Sequence, residues 1–202
     1  MFNNEINPIY NIFKTHSANV ILNEYQFTTP KLTHGCIYIV RDPRDIAVSF
    51  AGHRGKSIND TIDFMSKIES YFLPRNDHVL TLLTSWDTHY KSWMQLKVPI
   101  LLIKYENLLE NPRIEIKKII KFLNKLLKID KKDSNDKLNN ICISTDLKKF
   151  IDYEKNFGFN EASKYRSFFT KSGHNWKKNL SIKQINTIEN YFKKTMQKLN
   201  YI

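Results

Sequence analysis

The run CIYIVRDPRDIAVSFA, residues 36–51, decides how this chain is read. Gly35 bounds an apolar stretch, Ile37, Tyr38, Ile39 and Val40, of the length of a buried strand. Asp42 offers the carboxylate of a helix N-cap, and Pro43 follows at the first helical position, where a missing N–H costs little. Asp45, three residues past the cap, is placed to close a capping box over a helix running through Ser49 and Phe50. Arg41 therefore stands where a strand ends and a helix begins. Ligands of open α/β sheets gather at the carboxyl ends of strands, and a guanidinium there presents a planar fork of donors suited to a phosphate. The residues alone leave two readings open. Arg41 and Arg44 pair with Asp42 or Asp45 at a capped junction, or Arg41 is kept for an anion.

Working outward, 202 residues suit one domain, or one domain with a helical extension, and can bury a real core. The two cysteines, Cys36 and Cys142, form neither a disulfide framework nor a metal-spacing motif, which suits a reducing cytoplasm. The opening MFNNEINPIY has neither the basic nor the apolar region of a secretory leader. No apolar run approaches the roughly 20 residues of a membrane-spanning helix, so a soluble protein without a membrane partner is expected. Charge is uneven: 11 Lys and Arg stand against 9 Asp and Glu through Tyr105, and 21 against 11 beyond it. The basic second half suits a polyanionic ligand, and it equally follows from a composition rich in Lys, Asn and Ile. No helix-turn-helix, RNP or zinc signature is present, which argues against nucleic acid.

Ile9 to Phe13 reads as a short strand ending at Lys14, Thr15 and His16. In an extended segment Lys14 and His16 point to the same side, and a histidine there is either structural or a proton acceptor near neutral pH. Ile58, Ile62, Met65, Ile68 and Phe72 form a helical stripe broken by Pro74. Ser85 caps a helix through Leu96, with Trp86, Tyr90 and Trp93 as core aromatics; His89 lies on it without an assigned role. Pro99–Tyr105 reads as the second strand, Arg113–Lys128 as an amphipathic helix, and Asp130–Asn140 as a polar connection. Ile182, Ile185, Ile188, Phe192, Met196 and Leu199 stripe a long final helix.

The string RDPRDIAVS closely resembles the 3′-phosphate-binding segment of the sulfotransferases that use 3′-phosphoadenosine 5′-phosphosulfate (PAPS). That resemblance implies that Arg41 and Ser49 hold the 3′-phosphate. The KTH tripeptide about 25 residues earlier stands where the family carries its catalytic pair, implying His16 as general base and Lys14 as its electrostatic helper. ENLLENP resembles the segment whose tyrosine contacts the nucleotide, which implies that role for Tyr105. ISTDLKKFIDYEKNFGF resembles the adenine-flanking stretch, with Thr145 matching a family threonine and Leu147 standing where an aromatic is usual. FFTKSGHNWKKNLS looks like the family's C-terminal phosphate loop and retains Lys171, Gly173 and Trp176. Thr170 replaces an arginine there, Ser172 replaces a glycine, and one residue is missing before Trp176. KSGxxW also imitates the family's N-terminal phosphosulfate loop, but the chain order and the closing LNY favour the C-terminal one.

The resemblance implies an α/β, P-loop-like sulfotransferase fold over residues 1–202, a single domain. Its short parallel sheet would be built from the segments around Phe13, Ile39 and Leu102 and wrapped by helices. Only 13 residues precede Lys14, so the family's first strand–loop–helix unit is expected to be missing and the domain N-terminally truncated, with unpaired strand edges. The implied activity is sulfuryl transfer from PAPS to a hydroxyl or amine of a small-molecule acceptor, without a metal. The alternative is an inactive nucleotide-binding remnant, or the C-terminal half of a split enzyme completed by a separate N-terminal chain or a homo-oligomer.

Overall fold

A computed structural model describes residues 10–74, 79–129, 135–170 and 175–202. The first elements are β1 (Ile21–Leu22) and β2 (Tyr25–Gln26), an antiparallel ribbon. Asn23 and Glu24 turn between them at positive φ, 48° and 71°, as a tight hairpin requires. Next come β3 (Cys36–Val40), α1 (Pro43–Arg54) and α2 (Ile58–Ser66). A second ribbon pairs β4 (Tyr71–Phe72) with β5 (Thr81–Leu82), and α3 (Trp86–Met94) follows from the Ser85 cap. β6 (Ile100–Lys104) runs straight into α4 (Tyr105–Glu110) and then α5 (Pro112–Leu126). α6 (Asn135–Ser144), α7 (Leu147–Phe157), the single turn α8 (Trp176–Asn179) and α9 (Ile182–Lys198) complete the described chain.

The architecture is α/β with a short parallel sheet. β3 pairs with β6 in register from Cys36↔Ile100 to Val40↔Lys104, the parallel arrangement that a long helical crossover permits. Behind it Val40 packs with Tyr90 and Leu199. The main core lies where α1, α2 and α9 meet, around Ala47, Ile62, Met65, Ile188, Phe192 and Met196. α9 reaches that core through a complete capping box: Ser181 accepts from the Gln184 N–H, and the Gln184 side chain accepts from the Ser181 N–H.

The secondary structure departs from the sequence reading at several places. Residues 10–16 form no strand, and Ile12 and Phe13 are 87% and 84% exposed, so the described parallel sheet has two strands rather than three. With no ladder partner among the described residues, that extended segment leaves its apolar side chains in water. α2 stops at Ser66 instead of continuing to Phe72: Lys67 is extended, and Ser70 donates to the Phe64 carbonyl while its own carbonyl accepts from Leu83 and Thr84. Phe72 instead stacks on Phe64 beside Phe50. Half of the expected polar connection is helical in α6. Tyr105 opens α4 rather than closing β6: Lys104, still extended, is both the last strand residue and the helix N-cap.

Candidate functional site

Arg41 ends at the carboxyl edge of β3, and the junction after it forms as the sequence predicts. The Asp42 carboxylate accepts the Arg44 N–H at 2.9 Å, with Pro43 in the first turn. The two arginines then part company. Arg44 is buried and fully engaged. It reaches Asp42 through Nε at 3.0 Å and Nη2 at 2.6 Å, Glu189 through Nη1 at 2.6 Å, and the Tyr201 carbonyl at 2.9 Å. Its guanidinium also lies 4.0 Å from the centre of the Trp176 ring. Arg41 takes no part in this network. Among the described residues it makes no ion pair, and its buried Nε has no hydrogen-bond acceptor. Its guanidinium lies 4.5 Å from the Tyr105 ring centre, so two of the site residues expected from sequence meet here.

Around Arg41 the acids are occupied. Glu106 accepts the Asp42 N–H at 2.8 Å and the Tyr201 hydroxyl at 3.0 Å, and burial beside this carboxylate pushes the Tyr201 pKa up. Asp45 does not close a capping box. Its Oδ1 instead accepts the backbone N–H of Trp176 at 3.0 Å, across 131 positions of sequence. Desolvation raises the Asp45 pKa; the Trp176 N–H and Arg41 oppose that rise, and Asp42 and Glu106 add to it.

Asp45, Ser49 and Gly52 lie at i, i+4 and i+7, one face of α1. The later chain crosses this face on both sides of Ser49, at Trp176 and at Arg166. Arg166 lies against Gly52 so closely that a Cβ there would come within 3.0 Å of its Nη1. Ser49 itself is half-buried, and its hydroxyl has no hydrogen bond among the described residues. Lys171 and Gly173 lie outside the described residues. Thr145 is exposed at the end of α6, where its hydroxyl donates to the Ile141 carbonyl at 2.7 Å rather than meeting Arg41 or Tyr105.

Lys14 and His16 stand on the exposed segment before β1. Lys14 pairs with Glu161 at 2.5 Å. Desolvation lowers the His16 pKa, the Lys14 cation lowers it further, and Glu161 pulls the other way. The segment is held from behind by side chains of α3: His89 to the His16 carbonyl, Trp93 to the Ser17 carbonyl, and Ser92 to the Asn19 N–H. Their spacing is that of ordinary core residues, so nothing in the sequence marks them as partners of residues 16–19. Beyond Ser17 lies a cleft of about 400 Å³, lined by Val20, Leu22, Tyr25, Phe27 and Leu82. Among the described residues no three His, Cys, Asp or Glu side chains converge as a metal site would need, and no helix is long and apolar enough to cross a membrane.

In this α/β protein a parallel strand therefore ends in a half-buried arginine whose Nε has no acceptor among the described residues and whose guanidinium lies over an aromatic ring, the chemistry of an anion site at a strand end. Comparison with known proteins gives the class. Residues 4–200 match the sulfotransferase domain, and the chain belongs to the sulfotransferase family. It is 32% identical over 132 residues to sulfotransferase 1B1 of Canis lupus familiaris, a match covering 61% of this chain and 40% of that protein. It is 27% identical over 175 residues to sulfotransferase 2A1 of Rattus norvegicus, covering 79% and 56%. The chain thus spans well under two thirds of the length of these relatives. Among solved structures it resembles retinol dehydratase in complex with androsterone and the inactive cofactor PAP, with a TM-score of 0.57, 20% identity, and 79% of this chain and 46% of that one covered. It also resembles mouse sulfotransferase SULT7A1 complexed with PAP, with a TM-score of 0.51 and 22% identity over 79% and 58% of the two chains.

Proposed function

We propose that this protein transfers a sulfuryl group from PAPS to a hydroxyl or amine on a small-molecule acceptor. The observation that carries the reading is Arg41: a buried guanidinium nitrogen without an acceptor is costly, and a phosphate oxygen would satisfy it. Ser49, whose hydroxyl on the adjoining helix has no partner among the described residues, is the second donor to the 3′-phosphate. Tyr105 backs the guanidinium and contacts the nucleotide, Thr145 flanks the adenine, and Lys171 and the Gly173 amide add to the phosphate site. His16 takes the proton from the acceptor as its oxygen or nitrogen attacks sulfur in line. The bond from sulfur to the 5′-phosphate oxygen breaks, and 3′-phosphoadenosine 5′-phosphate (PAP) leaves with that electron pair. The depressed pKa keeps His16 in the neutral, proton-accepting form. An exposed pair such as Lys14–Glu161 is worth only about 0–1 kcal/mol, so Lys14 turns readily to charge developing on the sulfuryl group. The apolar cleft beyond Ser17 is the acceptor's place. Cys36 and Cys142 remain free thiols, in keeping with a cytoplasmic protein.

A second reading is favoured by one feature. The parallel sheet has two described strands, and Ile39 is 53% exposed on it. In that reading the protein binds the nucleotide but turns over only when a separate N-terminal chain, or a second copy, completes the sheet.

Calorimetric titration with PAP, run on the wild type and on Arg41→Ala, tests the site. Binding by the wild type is expected to weaken roughly 30-fold or more in the variant, the scale of losing a buried charged contact. A folded wild type that ignores PAP would sink both readings for the isolated chain. PAP binding without turnover of PAPS would favour the second.

A further inference from the structure

α3 grips the segment that carries His16 as a neighbouring strand would, but with side chains. His89, Ser92 and Trp93 lie at i, i+3 and i+4, on one face of the helix. His89 Nε2 is 3.1 Å from the His16 carbonyl, Trp93 Nε1 donates to the Ser17 carbonyl at 3.0 Å, and the Asn19 N–H donates to Ser92 Oγ at 3.0 Å. Ser92 in turn donates to the His89 carbonyl at 2.8 Å, which ties the grip to the helix backbone.

The chemistry of these contacts assigns the protons. A carbonyl only accepts, so Nε2 of His89 must carry hydrogen. In the neutral ring Nδ1 is then an acceptor, and the Tyr38 hydroxyl, 2.8 Å away on β3, is its donor. Burial lowers the His89 pKa and raises that of Tyr38, so the ring stays neutral and the phenol keeps its proton. A relay of fixed polarity thus runs from β3 through α3 to the backbone of His16. The His16 ring, by contrast, is exposed and makes no hydrogen bond of its own among the described residues. Its direction is inherited from the backbone beneath it.

We propose that His89 is a positioning residue for sulfuryl transfer: it holds the His16 carbonyl, and Tyr38 holds His89 in the tautomer that can do so, which aims the His16 ring at the acceptor. This rests on the reading of His16 as the general base. Misplacing a reacting group by about 1 Å costs on the order of 100-fold in rate.

The full chain should be compared with His89→Leu, His89→Gln and Tyr38→Phe, using PAPS with a simple phenol as acceptor, PAP calorimetry, and NMR of labelled histidine rings. His89→Leu is expected to lower kcat roughly 10- to 100-fold while PAP affinity and the KM for PAPS stay within about twofold, because no nucleotide contact is removed. His89→Gln should restore most of kcat, since its amide N–H can still donate to the carbonyl. An unchanged kcat in His89→Leu, or equal damage in the Leu and Gln variants, overturns the proposal. NMR decides it independently of turnover, and so separately from the assigned function. Wild-type His89 should appear as the neutral Nε2–H tautomer, and Tyr38→Phe should perturb both the His89 and His16 ring signals. An Nδ1–H tautomer, or a His16 ring indifferent to Tyr38→Phe, overturns the proposal even if His89→Leu does not fold.

Discussion

At the Arg41 end of the candidate site the turn itself is set by near neighbours and distant residues only secure it, whereas the His16 end is held by residues 64 to 76 positions away. Asp42, Pro43 and Arg44 build the junction between β3 and α1 within three residues, and the β3–β6 ladder only has to receive it. Residues 10–19 have no such local logic. They form no helix and no strand, and their place comes from one face of α3 and from Leu82 of β5, whose carbonyl accepts the Ala18 N–H and whose N–H donates to Ser17 Oγ. Damage at the first end should therefore spread through the fold, and damage at the second should stay local.

Arg44→Ala is the strongest way to break that contrast. It leaves the buried Asp42 carboxylate and the partly buried Glu189 without their cation and removes the stack on Trp176. Breaking a buried pair of this kind costs about 3–5 kcal/mol, a large part of the stability of a domain this size. Denaturant unfolding should show the whole transition move to lower concentration. A shift below 1 kcal/mol, on the scale of exposed pairs, would mean that the junction is not the organising element.

Trp93→Phe should act more gently. It removes the donor to the Ser17 carbonyl while keeping most of the ring against Phe27, at a cost of about 1–3 kcal/mol for the orphaned buried carbonyl. Hydrogen exchange should quicken around Ser17 to Asn19 well before it quickens in β3 or α1. Uniform quickening would show that the N-terminal segment and the junction open as one unit.

The smallest effect is expected from Asp45→Asn, which keeps an oxygen for the Trp176 N–H but removes the charge. The folded pKa of Asp45 is raised above its unfolded value of 3.8, so the native state binds the proton more readily than the unfolded state. Its charged form therefore weakens the fold as pH rises above about 4. The melting temperature of Asp45→Asn relative to wild type should accordingly become more favourable from acid towards neutral pH. A difference that is flat with pH would assign Asp45 a hydrogen-bonding role alone.

Much of the fold is legible in the residues because its signals are local. The Asp42 cap, the Ser85 cap, the apolar strands and the stripe of α9 each depend on side chains within a turn or two of one another. The misread pieces share one cause. Ile68 and Phe72 continue a helical stripe, but the chain leaves the helix at Lys67 because Ser70 and the β4–β5 ribbon offer other hydrogen bonds. Ile9–Phe13 resembles a strand, but a strand needs a partner edge, and none is present among the described residues. Asp45 sits at capping-box spacing, yet it is taken by Trp176.

By itself the sequence determined that an arginine would stand between a strand and a capped helix, and that the runs around Ile39 and Leu102 would be strands, while the third strand it suggested around Phe13 did not form. Those outcomes follow from backbone propensity and side-chain periodicity, which act over a few residues. Only the tertiary structure decided which arginine would be spent on the fold and which kept in reserve. Arg41 and Arg44 are equivalent as letters, but Glu189, Trp176 and the Tyr201 carbonyl converge on one of them alone. The same holds for His89, which joins the candidate site because α3 packs behind residues 16–19 and its half-buried imidazole finds partners there for both of its nitrogens.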